Sequence, residues 1–266
     1  NHGASTMSNI ITRSKETVKG KSVLLFSGGM DSVMFDKLLN PDVLLYIPSG
    51  SAYEEIETEK VHELANSGWI DWNKLVILDE VLNLKAFERD DMIVPNRNAY
   101  LVLLASHYGE KIYLGSVYGD RSFDKDRTFY GFMENLLNHI WQAQHWTETR
   151  RFTVESPYKD VTKTELVDEY IKAGGYVEAL MDSYSCYSGD PQPCGICKPC
   201  FRKAVSLINN KIYIPEDYYR ANPFTAEWLV DVLPEMKKGT YRGKEDKETL
   251  DAINEQQWLS VCDALD

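Results

Sequence analysis

The chain has 266 residues, 43% of them hydrophobic, which is enough for one sizeable core with a smaller appended region. Its formal net charge of -12 comes from 41 acidic and 29 basic residues, so the chain as a whole repels a phosphate backbone and extended nucleic-acid binding is disfavoured. We find neither an apolar run of about 18 residues nor a secretory signal, and we expect a cytoplasmic protein without a membrane partner.

The chain begins with a short polar segment that precedes a methionine. Residues 1–6 are small or polar and are typical of an affinity-tag remnant, which places the expected native start at Met7. From there we expect an ATP-binding α/β domain over residues 7–182. A metal-binding and helical C-terminal region is expected over residues 183–266.

Strand patterns alternate with helical patterns along the first of these regions. The predicted strands cover residues 22–26, 43–47, 74–78, 112–117 and 151–155. The predicted helices that follow the first four strands cover residues 31–39, 54–65, 98–108 and 129–144. This alternation predicts an α/β fold with a mostly parallel sheet, helices on both of its faces and ligand sites beyond the carboxyl ends of the strands.

The remainder of the chain is helical with one turn-rich segment. Thr162 and Glu165 have the spacing of a capping box and predict a helix start. A further helix is predicted over residues 203–209. Residues 237–248 are highly charged, and we expect them to form a solvated surface or a mobile tail.

A glycine loop lies between the first predicted strand and the first predicted helix. Its sequence, Ser-Gly-Gly-Met-Asp-Ser, covers residues 27–32 and directs backbone N–H groups and a helix N-terminus toward an anion. The loop is too short for the P-loop of kinases and GTPases, and it lacks the lysine of that motif. It therefore predicts a different phosphate site. The alternative is a simple glycine turn in which Asp31 caps the helix.

A group of cysteines predicts a metal site in the turn-rich segment. Clustering of this kind in a reducing compartment indicates metal binding rather than a disulfide framework. Four thiolates suit tetrahedral zinc in a structural role, and an iron–sulfur cluster is the main alternative. The predicted ligands are Cys186, Cys194, Cys197 and Cys200. We expect Cys262 to be a small buried hydrophobic residue.

The glycine loop resembles the PP-loop of the ATP pyrophosphatase superfamily, whose members cleave ATP between the α and β phosphates and transfer AMP to a substrate oxygen. The resemblance implies that Asp31 helps to place Mg²⁺. It also implies a set of ATP-binding residues: Phe26, Ser27, Gly28, Gly29, Met30, Asp31 and Ser32.

The PP-loop together with the cysteine segment is similar to the 7-cyano-7-deazaguanine synthase family of the queuosine pathway. The matching stretches after the loop are residues 94–98, 156–157, 162–165, 185–189 and 194–202, and the similarity spans residues 22–207. This resemblance implies an adenine-nucleotide α-hydrolase-like fold and a homodimer. It also implies a four-cysteine zinc site beside an ATP site.

The resemblance further implies a ligase that forms carbon–nitrogen bonds. Such an enzyme converts 7-carboxy-7-deazaguanine and ammonia to the amide and the nitrile, with ATP, Mg²⁺ and Zn²⁺ as cofactors and with release of AMP and pyrophosphate or of ADP and phosphate. The implied catalytic residues are Ser27, Asp31 and Arg97. The implied substrate-binding residues are Arg97, Asn98, Asp120, Asp126 and Arg127.

Two loops depart from the family pattern. After the second strand the family has a tyrosine followed by Gly-Gln-Arg-His, whereas residues 53–57 here read Tyr-Glu-Glu-Ile-Glu. After the fourth strand only Asp120, Ser122, Asp126 and Arg127 match the family pattern. This divergence favours a specialised relative, for instance one from a phage or an antiphage defence cluster, that stops at the amide or transfers the activated acid to an amine of a protein or nucleic acid.

Two alternatives belong to other classes of protein. A PP-loop enzyme that modifies tRNA would need compensating positive charge, which the acidic composition does not provide. A non-catalytic partner protein would keep the nucleotide site without turnover.

Overall fold

Short parallel strands form the centre of the molecule. The computed structural model describes residues 18–263, with side chains described as far as residue 256, so that the expected tag remnant, Met7 and the Cys262 side chain lie outside the described part. Within that part the sheet has the strand order β3-β2-β1-β4-β5, and every neighbouring pair is parallel. The strands are β1 Ser22–Leu25, β2 Val43–Tyr46, β3 Leu75–Ile77, β4 Lys111–Tyr113 and β5 Thr153–Glu155.

The two faces of the sheet are both buried. Leu24 in β1 is in register with Leu44 in β2 and with Tyr113 in β4. Leu24 and Leu44 belong to the core on one face, whereas their neighbours Val23 and Val43 belong to the core on the other face. Alternate residues of a strand point to opposite faces, so a strand that is apolar at successive positions needs cover on both sides.

Helices supply that cover on both faces and confirm the predicted fold class. The core around Leu24 receives side chains from α1, α2, α5, α6 and α7, and the core around Val23 receives them from α3 and α4. The bounds of these helices are α1 Met30–Leu39, α2 Glu54–Asn66, α3 Arg97–Ala105, α4 Arg127–Ile140, α5 Lys163–Lys172, α6 Val177–Asp182 and α7 Lys198–Asn209. Two further helices, α8 Glu227–Lys237 and α9 Glu245–Asp263, pack against α7 or against each other.

The start of α5 agrees with its prediction, whereas the start of α7 does not. The capping box is confirmed, because the Thr162 hydroxyl accepts the N–H of Glu165 at 3.2 Å at the start of α5. In contrast, α7 begins at Lys198 instead of the predicted residue 203. Pro199 lies in its first turn, where a missing N–H breaks no helical hydrogen bond. The last cysteine of the cluster, Cys200, is therefore part of a helix.

The prediction of a solvated or mobile segment over residues 237–248 was wrong for its central part. Tyr241, Glu245 and Asp246 are buried. The Asp246 carboxylate accepts the N–H groups of Tyr241 and Arg242, each at 3.0 Å, and Tyr241 packs in the same core as Phe201. The buried Glu245 carboxylate is bound by Arg202, 43 residues away in sequence, and a local pattern cannot reveal such a partner.

The C-terminal region shares its packing with the sheet. Leu207 of α7 belongs to the same core as Leu24 of β1. The division into residues 7–182 and 183–266 stays a prediction. Among the described helices, none combines the length and apolar character that a membrane crossing requires.

Candidate active site

A cavity of about 390 Å³ opens at the carboxyl ends of β1, β2 and β4. We refer to it as the strand-end cavity. Phe26 and Ser27 line it after β1, Ile47 after β2, and Gly115 and Ser116 after β4. The strand order reverses direction between β1 and β4, and a parallel sheet leaves a crevice at such a point because the connections diverge to opposite faces.

The glycine loop forms the floor of this cavity. The Ser27 N–H donates to the Ser32 hydroxyl at 3.1 Å, which closes the loop onto the first turn of α1. Gly28 has φ +79°, and an added Cβ would lie 3.0 Å from Val61 Cγ2. A side chain at this position would therefore be strained and crowded. The backbone N–H of Tyr184 donates to the Gly28 carbonyl at 2.9 Å and holds the loop from outside.

Asp31 carries an uncompensated oxygen at the start of α1. Its Oδ2 contacts the ammonium group of Lys163, whereas its Oδ1 is buried and has no hydrogen-bond partner among the described residues. Both side chains line the strand-end cavity. A buried anionic oxygen beside a lysine and a helix N-terminus fits Mg²⁺ bound to the phosphates of a nucleotide, since Mg²⁺ prefers carboxylate and phosphate oxygens.

Arg202 is clamped between carboxylates on another wall. Its Nη1 donates to Asp120 Oδ1 at 2.7 Å, and its Nε and Nη2 donate to the two oxygens of Glu245 at 2.8 and 2.9 Å. Burial alone would raise the pKa of Asp120, but the Arg202 charge holds that pKa well below its usual range. Asp120 is therefore a permanent anion that fixes Arg202, and it accepts the N–H of Val117 at 3.0 Å.

Two tyrosines, a glutamate and an arginine form a further wall of the same cavity. The rings of Tyr53 and Tyr187 are stacked with centroids 6.0 Å apart. Burial raises the pKa of Glu57 to about 7, and the nearby Arg97 charge opposes that rise. This arrangement offers flat apolar surface beside a hydrogen-bond acceptor and a cation, which suits a planar heterocycle with an anionic substituent.

The raised pKa of Glu57 gives a pH-dependent stability. A carboxyl whose pKa is higher in the folded than in the unfolded chain stabilises the fold below its ordinary pKa of 4.5 and loses that contribution as the pH rises through about 7. Glutamine imitates the neutral acid. We expect Glu57→Gln to match the wild type near pH 4.5 and to raise the free energy of unfolding by about 3 kcal/mol near pH 8.

Urea denaturation of the ligand-free protein at both pH values measures this difference. Glu55→Gln is the matched control, because Glu55 lies on the same helix with an exposed side chain. An equal gain for both variants, or a loss for Glu57→Gln near pH 8, would refute the assignment.

The cysteine group forms a compact cluster at the edge of the cavity. The Sγ atoms of Cys186, Cys194, Cys197 and Cys200 all lie within 4.8 Å of one another. Backbone N–H groups donate to them: Ser188 and Cys194 donate to Cys186 Sγ at 3.4 and 3.3 Å, and Cys197 donates to Cys194 Sγ at 3.3 Å. The spacing and these N–H donors fit a metal with thiolate ligands, such as zinc or an iron–sulfur cluster.

The metal cluster and the cavity share their structure. Cys186 and Tyr187 line the cavity from the cysteine loop, and Lys198, Pro199 and Arg202 line it from α7, which begins directly after Cys197. A metal bound here would hold the cysteine loop and the start of α7 in place.

Most of the predicted site residues meet in the strand-end cavity. The lining includes Phe26, Ser27, Gly29, Met30, Asp31, Ser32, Arg97, Asn98 and Asp120. Gly28 is not part of the lining. Asp126 caps α4 by accepting the N–H of Phe129 at 2.8 Å, and the exposed Arg127 pairs with Asp160. Neither of these two lines this cavity, and their contact with substrate stays a prediction.

Several residues of the cavity were not predicted. Lys163 and Arg202 lie inside the motifs at residues 162–165 and 194–202, and the motifs are the signal that could have found them. Glu57 lies in the first turn of α2, within the stretch at residues 53–57 that departs from the family pattern. Arg242 belongs to the charged segment at residues 237–248, and local sequence gives no signal for it.

Comparison with known proteins supports the motif assignments. A family model described as "Queuosine biosynthesis protein QueC" matches residues 49–211. A 7-cyano-7-deazaguanine synthase of Archaeoglobus fulgidus is 28% identical over 221 residues, which are 73% of this chain and 89% of the relative. One from Porphyromonas gingivalis is 24% identical and covers 74% of this chain and 96% of the relative.

One solved structure aligns with most of the chain at low similarity. It is a U34-tRNA thiolase NcsA from Methanococcus maripaludis with its iron–sulfur cluster, 14% identical, and the alignment covers 91% of this chain and 78% of that chain. The TM-score is 0.36.

Proposed function

The chain belongs to the queuosine biosynthesis protein QueC family of enzymes that form carbon–nitrogen bonds, and we propose that it activates 7-carboxy-7-deazaguanine with ATP and amidates it with ammonia. The observation that carries the proposal is the meeting of the glycine loop, Asp31 and Arg97 in one cavity with the cysteine loop. The product is 7-amido- or 7-cyano-7-deazaguanine.

ATP is assigned to the floor of the strand-end cavity. The N–H groups of residues 27–32 and the N-terminus of α1 bind its phosphates, and the Lys163 ammonium lies beside them. Magnesium, when bound at Asp31, neutralises charge that develops on the phosphates. The unpartnered Oδ1 of Asp31 supports this assignment.

The proposed reaction forms an acyl-adenylate. A carboxylate oxygen of the acid attacks the α-phosphorus, the bond to the bridging oxygen breaks, and pyrophosphate leaves. Ammonia then attacks the acyl carbon and loses a proton, and AMP leaves with the carboxylate oxygen. In a second round the amide oxygen attacks the α-phosphorus of another ATP and pyrophosphate leaves. No further ammonia is consumed: the adenylated intermediate loses the two protons of its nitrogen and expels AMP to give the nitrile. Transfer of the γ-phosphoryl group with release of ADP and phosphate is the alternative for either step.

The protein contributes position and charge to these steps. The pyrophosphate and the adenylate are anions, and Arg97, Lys163 and Lys198 line the cavity in which they form. Arg97 is assigned to the phosphates or to the substrate carboxylate. The stacked Tyr53 and Tyr187 and the Glu57 carboxyl are assigned to the deazaguanine base, whose N–H groups are donors. No side-chain nucleophile is needed.

Three finer assignments complete the proposal. The metal of the cysteine cluster is zinc, because a closed set of four thiolates suits a structural tetrahedral ion. The protein is a homodimer, which an exposed apolar stripe of α4 at Phe132, Leu136 and Ile140 supports. The acceptor is ammonia, with an amine of a protein or nucleic acid as the alternative that the divergent sequence at residues 53–57 leaves open.

Product analysis tests the proposed function. Incubation of the protein with 7-carboxy-7-deazaguanine, ammonium, Mg²⁺ and ATP is expected to give AMP, pyrophosphate and a deazaguanine product with the mass of the amide or the nitrile. Omission of the acid is the control and should leave ATP intact. If AMP formation does not depend on the acid, the deazaguanine assignment fails. An adenylated acid that accumulates without ammonia consumption would indicate another amine acceptor.

A further inference from the structure

One residue of the strand-end cavity comes from a part of the chain that the family match does not include. The match ends at residue 211, whereas Arg242 lies between α8 and α9 and lines the cavity. Arg242 belongs to the segment at residues 241–248. Neither the glycine loop nor the cysteine cluster explains why this segment reaches the cavity.

The segment is fixed in place by buried polar contacts. The Asp246 carboxylate holds the backbone N–H groups of Tyr241 and Arg242, and Glu245 holds Arg202. Gly119, in the loop after β4, has φ +94°, and an added Cβ there would overlap the Glu245 carboxylate. The loop after β4 and the 241–248 segment are therefore in direct contact, and the backbone at Arg242 is held against the site.

The Arg242 guanidinium lacks a carboxylate partner. Its Nη1 donates to the Gly119 carbonyl at 2.6 Å, and its Cζ lies 5.2 Å from the Tyr241 ring centroid. No carboxylate of the described residues lies within ion-pair distance of it. The two nearby acids, Asp120 and Glu245, are both bound to Arg202. Burial and the neighbouring Arg202 charge lower the pKa of Arg242, and the more weakly acting Glu245 and Asp120 charges oppose this, in agreement with the lack of an ion-pair partner.

A half-buried guanidinium with free donors at a cavity wall is a site for an oxyanion. We propose that Arg242 binds an oxyanion of the bound reactants, either the carboxylate of the acid or a phosphate of ATP. The inference rests on the proposed function for the identity of these reactants. Arg242 is then a binding residue, and Asp246 and Glu245 are positioning residues that hold its segment against the loop after β4.

Steady-state kinetics on Arg242→Gln tests the proposal, with Arg242→Lys as the conservative variant. We expect the KM for one reactant to rise by about tenfold or more in Arg242→Gln, since a charge-assisted pair with an anion is lost, and to recover in part in Arg242→Lys. A rise for the acid identifies the carboxylate as the ligand, and a rise for ATP identifies a phosphate. Unchanged KM values for both reactants would overturn the proposal.

Arg121→Gln is the matched control. Arg121 lies 4.9 Å from the same Tyr241 ring, but it is exposed and does not line the strand-end cavity. Its substitution should leave both KM values unchanged, and an equal effect of the two variants would also overturn the proposal. Equal thermal midpoints for the variants show that the fold is kept.

The wild type separates this inference from the proposed function. If the wild type forms no AMP with the acid, the proposed function fails. Calorimetric binding of ATP with Mg²⁺, and of the acid, then decides the Arg242 site on its own. Weaker binding of either compound to Arg242→Gln than to Arg121→Gln supports the oxyanion site, and equal binding of both compounds contradicts it.

Discussion

Asp31→Asn is expected to lower acid-dependent AMP formation by about two to three orders of magnitude while the protein stays folded. The side chain keeps its shape but loses the charge that the buried Oδ1 carries at the cavity floor. Without that charge, Mg²⁺ and the pyrophosphate that leaves are held less well. The kcat for AMP formation, measured with saturating ATP, is the quantity to compare.

Asp168→Asn is the control for this variant. It removes the same charge from an ion pair with Lys172 that is exposed and outside the cavity. AMP formation by this control should equal that of the wild type. A loss of less than about tenfold in Asp31→Asn would contradict the assignment of Asp31 to the metal and phosphate site.

Removal of the metal is expected to have the other large effect. Cys197→Ser leaves three of the four thiolates of the cluster, and structural zinc contributes about 10 kcal/mol or more to the folding of small domains. We expect loss of bound metal, a fall of the thermal midpoint by about 10 °C or more, and loss of AMP formation. The activity is lost because Tyr187, Lys198 and Arg202 depend on the cluster for their position in the cavity.

Metal analysis and calorimetry of the wild type and the variant measure these effects. The wild type is expected to hold about one zinc ion per chain, and a chelator followed by fresh zinc should remove and restore the activity. If the wild type contains iron and sulfide, the metal of the cysteine cluster is an iron–sulfur cluster and the zinc assignment is wrong. An active variant with an unchanged midpoint would show that the cysteines have no structural role.

The parts of the fold that sequence predicts are those set by neighbouring residues. Each predicted strand is present, and the central strands β1 and β2 are the clearest cases, because their apolar runs need cover on both faces. The Thr162 cap was predictable as well, because Thr162 and Glu165 lie within one helical turn of each other. The glycine loop and the cysteine spacing likewise carry their chemistry within a few residues.

The contacts that sequence did not predict join distant parts of the chain. Arg202 and Glu245 are 43 residues apart, and their pairing converts a highly charged stretch into a buried wall. The pattern of charges at residues 237–248 is equally consistent with a solvated surface, because it contains no information on Arg202 or Gly119. Asp126 shows the opposite case: it matches a family position, and the structure uses it as a helix cap.

The family match and the geometry contribute different parts of the account. The match begins at residue 49, so it does not include the glycine loop at residues 27–32. The phosphate site therefore rests on the loop itself: the Ser27 to Ser32 hydrogen bond, the conformation of Gly28 and the position at the end of β1. The family match covers the residues after β2 and the cysteine segment, which supply the cavity wall that we assign to the substrate.

We propose that the protein activates a carboxylate by transfer of AMP to its oxygen in the strand-end cavity. The most direct test uses 7-carboxy-7-deazaguanine with a heavy oxygen isotope in its carboxyl group, and mass spectrometry of the phosphate-containing products after turnover with ammonium. We expect the heavy oxygen to appear in AMP, because the acyl–oxygen bond breaks when ammonia displaces the adenylate. Heavy oxygen in inorganic phosphate, or AMP without the label, would contradict it.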